Sequence, residues 1–192
     1  MKQSSKHNIT AFVLAGGLSR RFGEDKALYQ YRGKPLITWP LKQLKPYFDK
    51  LFIIAKDEST YHHLGFPILE DQLPYQTPLA GIYTGLKCSS TDWNFFVGCD
   101  MPFLTHDVIE TMTQAIPDKR QPIKIIVPQT PQGLEPIAAI YHKSLANVII
   151  NDQDTISSLR GFIRSRNCKI IDFKSSKPFT NVNTREQLPH PD

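Results

Sequence analysis

The sequence has few of the features of a membrane or secreted protein. Its three cysteines, Cys88, Cys99 and Cys168, are odd in number and widely spaced, which indicates neither a disulfide framework nor a zinc site. We expect them to be reduced and to lie in the core. No apolar run approaches the roughly 18 residues of a membrane span. The polar start MKQSSKHN lacks the apolar stretch of a signal peptide, so we expect a cytoplasmic protein with no membrane partner.

The chain also lacks the charge pattern of a nucleic-acid-binding surface. Its net charge is +5 and its pI is about 9.1, but basic residues cluster only at 20–26 and 160–169. Aromatic residues are not interleaved with these cations as a base-stacking surface requires. Small polyanionic substrates explain the positive charge equally well, and we expect no nucleic-acid partner.

Residues that could form a nucleophilic or metal centre are not suitably spaced. No Ser-His-Asp or Cys-His arrangement is present at a spacing typical of nucleophilic catalysis. His62 and His63 are adjacent, so they point to opposite sides in an extended segment, and no third ligand is spaced to join them. We expect both histidines at the surface.

What the sequence does contain is a regular alternation of short apolar runs with amphipathic segments. A chain of 192 residues, 40% of them hydrophobic, can bury the core of a single domain. The alternation predicts an α/β fold, with a mostly parallel sheet, helices on both faces and ligands at the carboxyl ends of the strands. Pro40 predicts a kink or a late start in the first helix. The expected strands are 9–15, 51–55, 66–69, 93–98, 124–127, 136–141 and 169–173, and the expected helices are 34–44, 77–88, 105–115, 144–150 and 155–164.

The segment FVLAGGLSRRFGEDKAL near the N-terminus has the composition of a phosphate-binding loop. An apolar strand is expected to end at Gly16 and Gly17, where the absence of a Cβ lets backbone N–H groups approach an anion closely. Arg20, Arg21 and Lys26 then supply positive charge for phosphate oxygens. A glycine turn followed by a solvated basic loop would have the same local composition. The segment matches neither a Walker sequence nor the Gly-x-Gly-x-x-Gly fingerprint.

The same segment resembles, position by position, a signature of nucleotidyltransferases, specifically of the molybdenum cofactor guanylyltransferases. The signature is Leu-Ala-Gly-Gly-x-Ser-x-Arg-x-Gly-x-x-Lys-x-Leu, and a match at every fixed position is highly specific. The matching residues are Leu14, Ala15, Gly16, Gly17, Ser19, Arg21, Gly23, Lys26 and Leu28.

This resemblance implies a single Rossmann-like nucleotidyltransferase domain over residues 1–192, with a GTP-binding part at about 8–105 and an acceptor-binding part at about 106–188. It implies an Mg²⁺-dependent enzyme that transfers GMP from GTP to the molybdenum-bound pterin (molybdopterin) and releases pyrophosphate. Other cofactor-biosynthesis or acceptor proteins are expected as further partners.

Two alternative functions remain open at this stage. A related cytidylyltransferase acting on a pterin or sugar-alcohol phosphate ranks second, because such proteins more often have alanine at the position of Gly16. A nucleotide-binding regulatory protein that has lost catalysis is the other alternative. The presence of Lys26 and Asp100 argues against it.

Asp100 follows the most apolar of the expected strands, in the sequence GCDMP. A carboxylate at the end of a buried strand is costly without a counter-charge, although a loop or cap aspartate is the simpler interpretation. The resemblance implies that Asp100 binds Mg²⁺, which takes oxygen ligands and bridges carboxylates to substrate phosphates. It also implies that Arg21, Lys26 and Asp100 are catalytic. The implied GTP-binding residues are Leu14, Ala15, Gly16, Gly17, Ser19, Arg21, Lys26, Asp71, Gly81 and Asp100.

By this resemblance, Asp71 selects the base. A carboxylate can accept hydrogen bonds from both N1–H and the amine of guanine. The alternative interpretation of Asp71 is a solvated carboxylate in a turn. The chain departs from the family in two places. Relatives often have Asn where this chain has Ala55 and Lys56, and they usually have Gly where it has Thr77. Gly81 is retained, so the backbone can still approach a base or ribose.

The C-terminal sequence FTNVNT matches the family sequence Phe-x-Asn-Val-Asn-Thr. By this resemblance Asn181 and Asn183 bind the pterin, for which an amide is suited because it both donates and accepts hydrogen bonds. Both side chains would lie on the same side of an extended segment. Asparagines in a turn are also common backbone caps, and that alternative remains open.

Overall fold

The computed structural model describes residues 7–15, 25–74, 77–117, 121–152 and 158–188. The strands in these ranges are β1 (His7–Leu14), β2 (Gln30–Tyr31), β3 (Lys34–Pro35), β4 (Phe48–Ala55), β5 (Ile68–Glu70), β6 (Trp93–Gly98), β7 (Ile125–Thr130), β8 (Gly133–Leu134), β9 (Ile140–His142) and β10 (Cys168–Asp172). The α-helices are α1 (Thr38–Leu44), α2 (Pro78–Cys88), α3 (His106–Gln114), α4 (Leu145–Asp152) and α5 (Leu159–Arg164).

The main sheet has the strand order β10-β7-β9-β6-β1-β4-β5. β1 is parallel to β4 and β6, β4 is parallel to β5, and β7 is parallel to β10. β9 is antiparallel to both β6 and β7, and β8 is also antiparallel to β7. The expectation of a mostly parallel sheet is confirmed. The carboxyl ends of β1, β4 and β6 therefore meet at one edge.

Helices cover both faces of the sheet because neighbouring residues of a strand point to opposite faces. On one face, Val13 of β1 belongs to a buried cluster that includes Leu41 of α1 and Ile109 of α3. On the other face, Phe12 packs in a second cluster with Ile82 of α2 and residues of α4 and α5. This arrangement also confirms the predicted position of the helices.

Most predicted elements agree with the structure, but the sequence did not predict the short strands β2, β3 and β8, and residues 155–157 of the last predicted helix lie outside the described residues. The late start of the first helix is confirmed, since α1 begins at Thr38 and Pro40 lies in its first turn, where backbone N–H groups need no helical partner. The strand predicted at 136–141 is wrong. Pro136–Ala138 forms a 3₁₀ turn, and only β9 is extended. A proline at the start of this segment cannot donate a ladder hydrogen bond, which favours the turn.

The three cysteines differ in exposure. Cys99 is buried as expected and Cys168 is partly exposed, but Cys88 is exposed, so its assignment to the core is wrong. Cys88 is the last residue of α2 and is not among the buried residues of that helix. Among the described residues, no helix has both the length and the apolar content needed to cross a bilayer.

Substitution of Gly85 by alanine is expected to destabilise the protein, although alanine is favoured over glycine in helices by about 1 kcal/mol. A Cβ at Gly85 would lie 2.6 Å from Cε1 of Phe96 and 3.0 Å from Cδ1 of Ile54. Phe96 is fully buried and stacks on Phe12 with a centroid separation of 5.0 Å, so its ring is confined. Overpacking costs about 1–3 kcal/mol and the helix preference returns about 1 kcal/mol, so at roughly 2–4 °C per kcal/mol we expect Gly85→Ala to lower the thermal midpoint by up to about 8 °C.

The matched control is Gly85→Ala in a Phe96→Leu background, where the confining ring is absent. The shift caused by Gly85→Ala should be smaller in that background, as measured by thermal unfolding of all four proteins. Equal shifts in the two backgrounds would contradict the steric explanation.

Candidate active site

A cavity lies at the edge of the sheet where β1, β4 and β6 end. This is the position that the sequence predicted for ligand binding in a parallel sheet. Its wall is largely apolar, and three carboxylates and one ammonium group face it. The lining residues are Leu14, Ala15, Asp25, Lys26, Ala27, Ile54, Asp71, Thr77, Pro78, Gly81, Gly98, Cys99, Asp100 and Ile137.

Lys26 and Asp100 form an ion pair in this cavity, with 2.6 Å between Nζ of Lys26 and Oδ2 of Asp100. Both side chains are 15% exposed. The same ammonium group donates to Oδ1 of Asn183 at 3.2 Å. The counter-charge that the sequence required for Asp100 is thus supplied by Lys26, and three distant regions of the chain meet at one positive charge.

Asp100 is held by the way its strand ends. The N–H of Cys99 donates to the carbonyl of Leu14 at 3.0 Å, which continues the pairing of β6 with β1 for one more residue. The carbonyl of Asp100 accepts from the N–H of Val182 at 2.8 Å. Gly98 allows the carboxylate to fold back over the strand, because a Cβ there would overlap Oδ1 of Asp100. A side chain at Gly98 would therefore displace the carboxylate.

Lys26 is presented by a short 3₁₀ turn, Lys26–Leu28. Asp25 caps this turn, since its Oδ1 accepts from the N–H of Ala27 at 3.0 Å. Ala27 is 1% exposed, and its carbonyl accepts from the N–H of Ile37 at 3.0 Å. The turn is therefore anchored on the buried side, and Lys26 projects into the cavity.

Asp71 follows β5 and faces the same cavity. Its N–H donates to the carbonyl of Ala55 at 2.8 Å, and its Oδ1 accepts from the hydroxyl of Thr84 at 2.7 Å. Thr84 is fully buried, and its hydroxyl also accepts from the N–H of Gln72 at 3.0 Å. Sequence reasoning missed Thr84. The signal that could have found it is a polar residue on the apolar face of α2.

The start of α2 explains both the change to Thr77 and the retention of Gly81. Thr77 is the N-cap of this helix, and its side chain accepts from the N–H of Ala80 at 3.3 Å, a role that glycine cannot fill. Gly81 lines the cavity and also allows close packing of α2 on β1. A Cβ at Gly81 would lie 2.9 Å from Cδ2 of Leu14.

The two asparagines of the C-terminal sequence have different surroundings. The side chain of Asn183 accepts a hydrogen bond from Lys26. Val182, which lies between the two asparagines in the sequence, is fully buried in a cluster with Tyr31, Leu36 and Leu188. Oδ1 of Asn181 is buried and accepts no hydrogen bond from the described part of the chain. The backbone N–H of Asn183 donates to Gln187 at 2.6 Å. An unpartnered buried oxygen in Asn181 favours a ligand role over a cap role, because a cap would use that atom.

Several predicted site residues cannot be compared with the structure. Gly16, Gly17, Ser19, Arg20, Arg21 and Gly23 lie outside the described residues. Leu14, Ala15, Lys26, Asp71, Gly81 and Asp100 all line the cavity. His62 and His63 are exposed, as expected.

The described side chains fit Mg²⁺ only as an ion shared with a substrate. No three His, Cys, Asp or Glu side chains come together in the described ranges as a metal cage. Burial raises the pKa of the Cys99 thiol, so this cavity residue is a neutral thiol at pH 7. Asp100 supplies one carboxylate to the cavity. One carboxylate fits Mg²⁺, which is commonly held by one or two carboxylates together with phosphates and waters.

Comparison with known proteins bears out the resemblance seen in the sequence. The chain is 32% identical over 185 residues to the molybdenum cofactor guanylyltransferase of Yersinia pseudotuberculosis, covering 92% of this chain and 91% of that protein. It is 30% identical over 190 residues to the protein of the same name from Syntrophotalea carbinolica, covering 93% and 88%.

A solved structure has the same fold. The molybdopterin-guanine dinucleotide biosynthesis protein A of Archaeoglobus fulgidus superposes with a TM-score of 0.77 at 23% identity, covering 94% of this chain and 95% of that one. The sequence profile described as MobA-like NTP transferase domain matches residues 11–169. The chain therefore belongs to the family of MobA-like NTP transferase domains.

Proposed function

We propose that this protein transfers GMP from GTP to the terminal phosphate of the molybdenum-bound pterin. The observation that carries the proposal is the meeting of Lys26, Asp100 and Asn183 at one edge of a cavity that also contains Asp71. The two relatives described above are named for this activity. In this proposal residues 8–105 bind GTP and residues 106–188 contribute to the acceptor side, and the reaction takes place in the cytoplasm.

The chemistry requires alignment and charge neutralisation rather than a general base. An oxygen of the acceptor phosphate is already anionic, so it attacks the α-phosphorus of GTP directly while the bond to the β-phosphate breaks and pyrophosphate leaves. Lys26 is proposed to stabilise phosphate oxygens during this exchange, since its ammonium group lies in the cavity beside Asp100. Arg21 and the amides of Gly16 and Gly17 are proposed to bind the departing pyrophosphate.

Asp100 is the residue proposed to hold Mg²⁺. When bound, the ion would neutralise phosphate charge, which is the usual role of Mg²⁺ in nucleotide transfer. The N–H of Val182 holds the backbone carbonyl of Asp100, and Gly98 leaves space for the carboxylate at the cavity edge. Lys26 neutralises the same carboxylate in the structure described here.

Asp71 is proposed to select guanine. Thr84 donates to Oδ1 and so orients the carboxylate, while no hydrogen bond within the described ranges uses Oδ2. Each carboxylate oxygen can accept two hydrogen bonds, which leaves capacity for N1–H and the amine of guanine. Cytosine and adenine do not present this pair of adjacent donors.

The direct test is a nucleotide panel. Pyrophosphate release is measured with GTP, CTP, ATP and UTP in the presence of the metal-bound pterin. Release with GTP and formation of the guanine dinucleotide are the expected results. Preference for CTP would replace the proposal with a cytidylyltransferase, and absence of release with every nucleotide would indicate a protein without catalytic activity.

Asp100→Asn is expected to keep the fold and lose most Mg²⁺-dependent turnover, because the amide is nearly isosteric but carries no negative charge. Turnover is measured over an Mg²⁺ titration. The matched control is Asp92→Asn, which breaks an exposed ion pair with Lys143 and should leave turnover unchanged. Near wild-type turnover of Asp100→Asn at limiting Mg²⁺ would remove Asp100 as the ligand.

Asp71→Ala is expected to weaken GTP binding more than CTP or ATP binding, because guanine alone loses a paired acceptor. Loss of hydrogen bonds to a charged group corresponds to about 1.5–3 kcal/mol, or roughly 10- to 150-fold in affinity. Thr84→Val should produce a smaller change in the same direction, since it keeps the carboxylate and removes the hydroxyl that orients it and that accepts from the N–H of Gln72.

The control for this prediction is Glu70→Ala, which removes the neighbouring exposed carboxylate at the end of β5. Nucleotide affinities are measured by calorimetry. If Asp71→Ala weakens all nucleotides equally, Asp71 has a structural role and the selection of guanine lies elsewhere.

Replacement of Asn181 and Asn183 by alanine is expected to reduce pterin affinity about tenfold or more while GTP binding is retained, because each lost hydrogen bond to a buried group costs about 1–3 kcal/mol. Asn181→Ala alone provides a sharper test. No described residue makes a hydrogen bond with its buried oxygen, so this change should not lower the thermal midpoint. A lower midpoint together with weak binding of both ligands would identify the asparagines as structural caps.

A further inference from the structure

Tyr61 is a buried residue in an otherwise exposed loop after β4. It lies between two 3₁₀ turns, Glu58–Thr60 and His62–Leu64, and is 4% exposed, whereas His62 and His63 beside it are exposed. The sequence pattern drew attention to the two histidines and did not predict a role for Tyr61. The loop therefore contributes one buried side chain to the core, and that side chain ends in a polar group.

The hydroxyl of Tyr61 contacts two residues of the cavity wall. It donates to Oδ2 of Asp25 at 2.5 Å, and the carbonyl of Ala15 lies 3.3 Å from the same hydroxyl as a longer, secondary acceptor. Ala15 follows the last residue of β1, and Asp25 caps the turn that presents Lys26. The hydroxyl thus connects the end of the strand to the start of the turn.

The contact extends to Lys26 through Asp25. One carboxylate oxygen of Asp25 accepts from Tyr61, and the other accepts from the N–H of Ala27 at 3.0 Å. Asp25 is therefore fixed at both oxygens, and with it the turn that carries Lys26. Burial raises the pKa of the Tyr61 phenol, so it stays protonated and available as a donor throughout the physiological pH range.

We propose that Tyr61 is a positioning residue that acts through Asp25 to hold Lys26 against Asp100. It does not touch the reacting atoms. A displacement of about 1 Å of a catalytic group can cost as much as 10²-fold in rate, so a hydroxyl that fixes the turn is a kinetic determinant as well as a packing element. The kinetic part of this proposal rests on the proposed function, but the structural part does not.

The test compares Tyr61→Phe with Tyr47→Phe. Tyr47 is also 4% exposed, and its hydroxyl donates to the carboxylate of Glu110 at 3.2 Å, but neither residue lines the cavity. Both substitutions remove a phenol hydroxyl that donates to a carboxylate, although the hydroxyl of Tyr61 makes the shorter hydrogen bond. Thermal unfolding of both variants measures the general cost of losing such a hydrogen bond.

Amide hydrogen exchange is the first measurement. Tyr61→Phe is expected to accelerate exchange at Ala27 and Leu28, whose N–H groups both bond to Asp25, by about tenfold beyond any global change. Tyr47→Phe should leave these two amides unchanged. Unchanged exchange at Ala27, or an increase matched across the whole sheet, would overturn the proposal.

Kinetics provide the second measurement, through a double-mutant cycle with Lys26→Ala. Tyr61→Phe is expected to lower kcat about tenfold in the wild-type background and less than about twofold when Lys26 is absent, because its effect passes through Lys26. Equal losses in both backgrounds would overturn the link to Lys26. If the wild-type protein releases no pyrophosphate from GTP, the proposed function fails, whereas the exchange measurement still decides the role of Tyr61.

Discussion

The candidate site depends on the neutralisation of one carboxylate. Asp100 stands at the end of the buried strand β6, where an unpaired negative charge would be costly, and Lys26 supplies the opposite charge at 2.6 Å. The pair joins residues 74 positions apart, and Asn183, 157 positions from Lys26, completes the contact. Three distant parts of the described chain thus meet at one ammonium group at the carboxyl edge of the sheet.

Close packing of the backbone is the second constraint, and it explains why glycines surround the site. Gly81 and Gly85 allow α2 to pack closely on β1 and β6, and Gly98 leaves space for the carboxylate of Asp100. Thr84 on the same helix orients Asp71. A shift of α2 would therefore move Thr84 and with it the carboxylate of Asp71, so the packing of this helix and the proposed choice of base are physically connected.

The departures from the family sequence have local compensations. Ala55, which stands in a region where relatives often have Asn, offers its backbone carbonyl to the N–H of Asp71, so it helps to place the neighbouring carboxylate without a polar side chain. Thr77 replaces a glycine and caps α2.

The sequence by itself determined most helices, most strands of the main sheet and six of the fourteen residues that line the cavity, because apolar runs, prolines and glycine turns act over a few neighbouring positions. The segment at 136–141 shows the limit, since its apolar content suits a strand while Pro136 begins a turn. Only the tertiary structure decided the antiparallel insertion of β9 between β6 and β7. It also decided that Lys26 neutralises Asp100, that Thr84 orients Asp71 and that Tyr61 bonds to Asp25. These contacts join residues from 13 to 74 positions apart, so they depend on how the sheet and helices pack, which no local pattern encodes.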